Sequence, residues 1–145
     1  MDFFEVRESE IYFRNEGELL KIEGWGENSL RVQSSLMDQI PSGESALLPQ
    51  EERDVKIQVE DMRHASIQNG IIRAELFVQE WGNALQITFR DETGKVLLRE
   101  ISGGGALTRK ARFFQALSGG GYRLKASFEA DPDEKIYGMG QYQQG

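Results

Sequence analysis

The sequence holds no cysteine, so disulfides, zinc–thiolate sites and a cysteine nucleophile are all excluded. It has a single histidine, His64, and one imidazole with no thiolate beside it cannot assemble a His-based zinc site. Proline is scarce, at three residues in 145, and no apolar run approaches the roughly 20 residues of a membrane span. Net positive charge is missing too. At −7 the chain has the wrong sign for displacing counterions from a nucleic acid, and the densest basic group, Arg109, Lys110 and Arg112, reads as a solvated strand or loop. Neither nucleic acid nor membrane is expected as a partner. Met1-Asp2-Phe3-Phe4-Glu5 lacks the basic-then-apolar order of a secretory signal, so the expected location is cytoplasmic unless a signal has been removed.

What is present is the mixture of one folded domain, 39% hydrophobic and 28% charged, rather than that of a disordered chain. Period-two alternation dominates and helical periodicity is nearly absent. Leu85, Ile87 and Phe89 share one face of a strand, and Ile72, Ala74 and Leu76 share one face of another. Tyr122, Leu124, Ala126 and Phe128 alternate with Arg123, Lys125 and Ser127 in the same way. Strands with one apolar face belong to antiparallel sheets with one wet side. Asn69-Gly70 is a two-residue hairpin signal, Asp91-Glu92-Thr93-Gly94 a second turn, and Gly24 to Asn28 a third. These spacings predict an all-β antiparallel sandwich over residues 1–145. Met37 to Asp54 reads as a long loop with one helical turn near Gln50–Arg53, and the triplets Gly103–Gly105 and Gly119–Gly121 as ends of a strand or hairpin.

No catalytic motif emerges. The glycine triplets lack the Lys-Ser/Thr and following helix of a phosphate loop, and Gly138-Met139-Gly140 lacks the third glycine of a dinucleotide fingerprint. Ser66 shares a strand face with His64, but no G-x-S-x-G elbow accompanies them. Asp131, Asp133 and Glu134 sit in a polar turn around Pro132, and no carboxylate pair is expected at the end of a buried strand, where a raised pKa would mark a glycosidase acid. No catalytic residue, metal or cofactor is expected. Trp25 and Trp81 adjoin glycines at strand ends, where each either closes one end of the core or offers an exposed ring for a sugar to stack on.

The run Tyr122-Arg-Leu-Lys-Ala-Ser-Phe128-Glu-Ala-Asp-Pro-Asp-Glu134-Lys-Ile-Tyr137-Gly138-Met-Gly140-Gln141 resembles a segment of glycoside hydrolase family 31. That segment reads strand, Phe-x-x, acidic turn, then Glu-x-Ile-Tyr-Gly-Leu-Gly-Gln/Glu. Ser29-Leu30-Arg31-Val32-Gln33 resembles the family's early Leu-Arg-Val-Arg strand with Gln33 in place of the last Arg, and Ile71–Phe77 and Leu85–Glu100 resemble its central hairpins. The resemblance implies a galactose-mutarotase-like super-sandwich, the N-terminal domain of a retaining exo-α-glycosidase whose catalytic (β/α)8 barrel, with both catalytic Asp residues, follows beyond Gly145. It implies that this domain is itself non-catalytic, packs on the barrel of its own chain and narrows the pocket for an α-glucoside or α-xyloside. Gln141 and Gln143, in an ending similar to that of bacterial members, are either substrate-proximal, their amides hydrogen-bonding sugar hydroxyls, or ordinary strand or loop residues. A sandwich ending here would expose an unpaired edge and favour either self-association into a homo-oligomer or disorder. Two rivals stand beside this reading. One is a free-standing carbohydrate-binding sandwich using Trp25 or Trp81. The other is a mutarotase-like epimerase, for which a lone His64 is poor equipment.

Overall fold

Alternation of apolar and polar residues is realised as strands throughout the computed structural model, which describes residues 2–40, 54–102 and 110–135. Among these are eleven strands and no helix. The first four, β1 (Phe4–Arg7), β2 (Glu10–Asn15), β3 (Glu18–Trp25) and β4 (Ser29–Ser35), form an antiparallel meander. The next five, β5 (Lys56–Val59), β6 (His64–Asn69), β7 (Ile72–Val78), β8 (Leu85–Arg90) and β9 (Val96–Arg99), form a second. A hairpin of β10 (Arg112–Ala116) and β11 (Tyr122–Ala126) follows. Phe128 makes a bridge with Glu100, and the amide of Glu129 donates to Arg99 O, so the chain after β11 runs along the edge of the second meander.

The two meanders pack face to face because each has one apolar side. Phe4, Ile11, Phe13, Leu20 and Ile22 from the first meet Ala65, Ile67, Ala74, Leu76, Val78, Leu85 and Ile87 from the second. Each fully buried large aliphatic or aromatic side chain contributes about 1.5–3 kcal/mol. This is the expected all-β antiparallel sandwich.

Turns sit close to their expected places. Gly70 (φ 57°) turns β6 into β7, and Gly94 (φ 85°) lies in the β8–β9 turn. Gly119–Gly121 form the tip of the β10–β11 hairpin. Two boundaries differ: the two-residue loop is Gly70-Ile71, with Asn69 paired to Ile72 at the end of β6, and β3 continues through Gly24 and Trp25, so that turn is confined to Gly26–Asn28. The expected helical turn near Gln50–Arg53, the triplet Gly103–Gly105 and the Tyr137-Gly138-Met139-Gly140 block lie outside the described residues.

Paired turns lock the two ends of the sandwich. At one end, the buried Asn69 amide donates to Gly26 O and Ser29 O at 3.0 and 2.8 Å, while Ile71 N–H donates to Asn28 Oδ1 at 3.0 Å. At the other, Asn15 Nδ2 donates to Asn83 O at 3.0 Å, and Arg63 Nη1 donates to Gln79 O at 2.8 Å.

Candidate functional site

The two tryptophans occupy opposite ends of the molecule. Trp25 ends β3 beside the Asn69 lock, whereas Trp81 lies in the β7–β8 turn beside Asn83. The seven residues of β7 separate those ends by roughly 20 Å, so one ring cannot extend the platform of the other. Trp81 is 82% exposed and does not close the core. Trp25 is half-buried, and the Arg31 guanidinium lies 4.5 Å from its ring centroid, occupying one ring face. Arg31 belongs to a polar ladder across the outer face of the first meander. Arg31 meets Glu23, Glu23 meets Lys21 at 3.0 Å, Lys21 meets Glu10 at 3.1 Å, and the Tyr12 hydroxyl donates to Glu10 at 2.6 Å. Burial, followed by the hydrogen bond to the Glu10 carboxylate, pushes the Tyr12 phenol up to about 12. Burial raises the Glu10 carboxyl, but hydrogen bonds from Tyr12 and Lys21 outweigh it and hold the group below its ordinary value.

The outer face of the second meander carries a concavity of about 270 Å³, lined by His64, Ser66, Arg73, Glu75, Phe77 and Thr88 among others. The His64 ring stacks on Phe77 with centroids 5.1 Å apart, and its Nδ1 lies 2.9 Å from both Asp61 carboxylate oxygens. Ser66 is buried and its Oγ accepts from Arg73 Nη2 at 3.3 Å, with no hydrogen bond to His64. His64 and Ser66 therefore share a face, as their spacing requires, without forming a base and nucleophile. Glu75 is paired with Arg90 at 2.8 Å. Arg73 Nε is buried without a partner, at a cost of about 1–3 kcal/mol. No group of three or more metal-ligating side chains occurs among the described residues.

Two sequence readings are corrected at the junction of the sheets. Arg112, expected in a solvated basic cluster, is buried, and it brings together two buried carboxylates where none was expected. Its Nε donates to Glu18 Oε1 at 2.7 Å and its Nη1 to Glu100 Oε1. Ser34 Oγ donates to Glu18 at 2.7 Å, and Ile87 N–H to Glu100 Oε2 at 3.0 Å. Burial raises the Glu100 carboxyl despite the opposing charge of Arg112. Burial also opposes the charge on Arg112, but the Glu100 carboxylate and its hydrogen bond prevail and raise the guanidinium further. A raised, paired carboxyl is what a glycosidase acid needs, but here the guanidinium fills the space between the carboxylates. All three side chains are less than a tenth exposed, so no glycosidic bond can enter. The cluster ties β3, the end of the second meander and β10 together. The signal for it was strand parity: Glu18 shares the inward parity of Leu20 and Ile22, and Arg112 that of Phe114.

Asp131 and Asp133 conform to expectation. Asp131 Oδ1 accepts from Asp133 N–H at 2.9 Å in an exposed turn. Gln141 and Gln143 lie outside the described residues.

No protein-family model matches the chain. It is 36% identical, over 151 residues, to an uncharacterized family 31 glucosidase of Pseudescherichia vulneris, covering 92% of this chain and 27% of that protein. Its fold matches the crystal structure of a GH31 α-xylosidase from a soil metagenome, complexed with xylose, with a TM-score of 0.80 and 36% identity. That match covers 97% of this chain and 22% of the xylosidase, so the chain spans about a quarter of the length of these relatives. Sequence identity and fold agree over nearly all of its residues, and the chain is similar throughout to one segment of these family 31 enzymes.

Proposed function

We propose that the chain is the non-catalytic N-terminal β-sandwich of a retaining exo-α-glycosidase of the α-glucosidase or α-xylosidase type. It packs on the catalytic barrel of its own polypeptide and helps shape the sugar pocket. The observation that carries this reading is 36% identity to a glucosidase and to an α-xylosidase, each about four times as long. The geometry supports it from the other side. Among the described residues the carboxylates brought together in the interior are closed around Arg112, and His64 is turned to Asp61. Expression of the whole open reading frame tests it. Hydrolysis of p-nitrophenyl α-xyloside or α-glucoside by the long polypeptide, and none by residues 1–145, is the expected result. A frame that ends at Gly145, or a long product inactive on both substrates, overturns it. Within the active enzyme, Gln141→Ala raises KM if Gln141 borders the sugar, and unchanged kinetics remove it from the pocket.

The exposed ring of Trp81 favours a second reading, a carbohydrate-binding module. Quenching of its fluorescence by oligosaccharides, abolished in Trp81→Ala, is its signature, and a flat titration disposes of it.

A further inference from the structure

Asn69-Gly70 is the only Asn-Gly step in the sequence, and it lies where the two paired turns meet. With no side chain on the following residue to hinder approach, an asparagine in this setting is prone to lose ammonia. The Gly70 backbone nitrogen gives up its proton and attacks Asn69 Cγ. The new C–N bond closes a succinimide, the Cγ–Nδ2 bond breaks, and ammonia leaves with that proton. Water then opens the ring and leaves an aspartyl or isoaspartyl residue at position 69.

The fold needs both residues of the reactive pair. Gly70 holds φ at +57°, and a Cβ there would lie 2.1 Å from Asn28 Oδ1. Asn69 is 2% exposed, and its Nδ2 donates to Gly26 O at 3.0 Å and to Ser29 O at 2.8 Å, a double donation that a carboxylate cannot make. Those two hydrogen bonds hold the very nitrogen that must leave. On the far side of Gly70, Ile71 N–H donates to Asn28 Oδ1 at 3.0 Å and fixes the turn. Ring closure requires Asn69 Cγ and Gly70 N to move together, and both contacts with the first meander resist that movement. After the reaction, a buried carboxylate faces two carbonyl oxygens, and the isoaspartyl form adds a main-chain atom between β6 and β7. The lock then cannot re-form.

We propose that Asn69 is a latent deamidation site gated by the paired turns: idle while the lock is closed, modified when it opens locally, and unable to close again afterwards. The Trp25 end of the sandwich would then loosen in one direction only. Peptide mass spectrometry of the intact polypeptide, incubated in mildly alkaline buffer, tests it. Deamidation at Asn69 should run at least about tenfold more slowly than in the same chain unfolded in guanidinium chloride. It should quicken at denaturant concentrations below the global transition, and Asn28→Ala, folded by circular dichroism, should quicken it without denaturant. The modified fraction, separated by charge, should unfold at lower denaturant than the unmodified one. Equal rates in folded and unfolded chains overturn the gate. A rate that rises only with global unfolding overturns local opening, as does a folded Asn28→Ala with the unsubstituted rate. If that variant does not fold, the denaturant series decides alone. A modified fraction as stable as the unmodified one overturns the one-way loosening.

Discussion

Arg112 on the β10–β11 hairpin donates through Nε to Glu18 on β3, 94 residues earlier in the chain, at 2.7 Å in the interior. Glu100 takes the other side of the same guanidinium. The hairpin is thereby joined to both meanders through buried charge. Arg112→Met leaves two buried carboxylates without their cation and should lower stability by roughly 3–5 kcal/mol in urea unfolding. Replacing Glu18, Glu100 and Arg112 together by apolar residues of similar volume should recover most of that loss. A single variant as stable as the parent sequence would show that the cluster does not hold the sheets together.

The raised Glu100 carboxyl makes a signed prediction. A group whose folded pKa exceeds its unfolded value binds its proton more tightly in the folded chain. Its contribution is complete below pH 4.5, the ordinary value, and is lost as pH rises through the folded pKa. Urea midpoints of the parent sequence and Glu100→Gln, compared from pH 4 upward, should show the parent losing ground to the variant as pH rises. A gap moving the other way contradicts burial as the dominant cause.

Tyr12 gives a second titration, on the outer face of the first meander. Its pKa of about 12, against an ordinary 10.0, places its contribution below pH 10 and its loss between pH 10 and 12. Absorbance at 295 nm should show a late tyrosine step that Tyr12→Phe removes and Glu10→Gln moves to lower pH. A late step untouched by either variant belongs to another tyrosine.

The elements most legible in the sequence were those where one rule decided the outcome. Leu85, Ile87 and Phe89 alternate, and β8 follows; Gly70 permits positive φ, and the β6–β7 turn follows one residue later than Asn69-Gly70 suggested. Tyr122 to Phe128 shows what alternation leaves out. It gave the strand and its two faces, but not that the apolar face lacks a cover among the described residues, because cover is set by long-range packing. Strand parity marked Glu18 and Arg112 as inward, but their pairing was opaque for the same reason. A charged residue at an inward position is tolerated only when its partner arrives, and here the partner is 94 residues away. The half-coverage of Trp25 was equally hidden, since Arg31 reaches it across the β3–β4 pair.

Gly70 tests how much the paired turns matter. Its φ is +57°, and a Cβ added there would lie 2.1 Å from Asn28 Oδ1 and 2.6 Å from Glu27 O. Asn28 Oδ1 is the acceptor for Ile71 N–H, so Gly70→Ala would strain the backbone and push apart the contact between the two turns. The expected cost is about 2 kcal/mol or more in urea unfolding. Gly94→Ala is the control. It also has a positive φ, +85°, but nothing lies within 4 Å of the added carbon, so it should lose only about 1 kcal/mol of backbone strain. Equal losses would mean that the β3–β4 and β6–β7 turns touch without stabilising each other. A larger loss at Gly70 assigns the excess to the lock that fixes the Trp25 end of the sandwich.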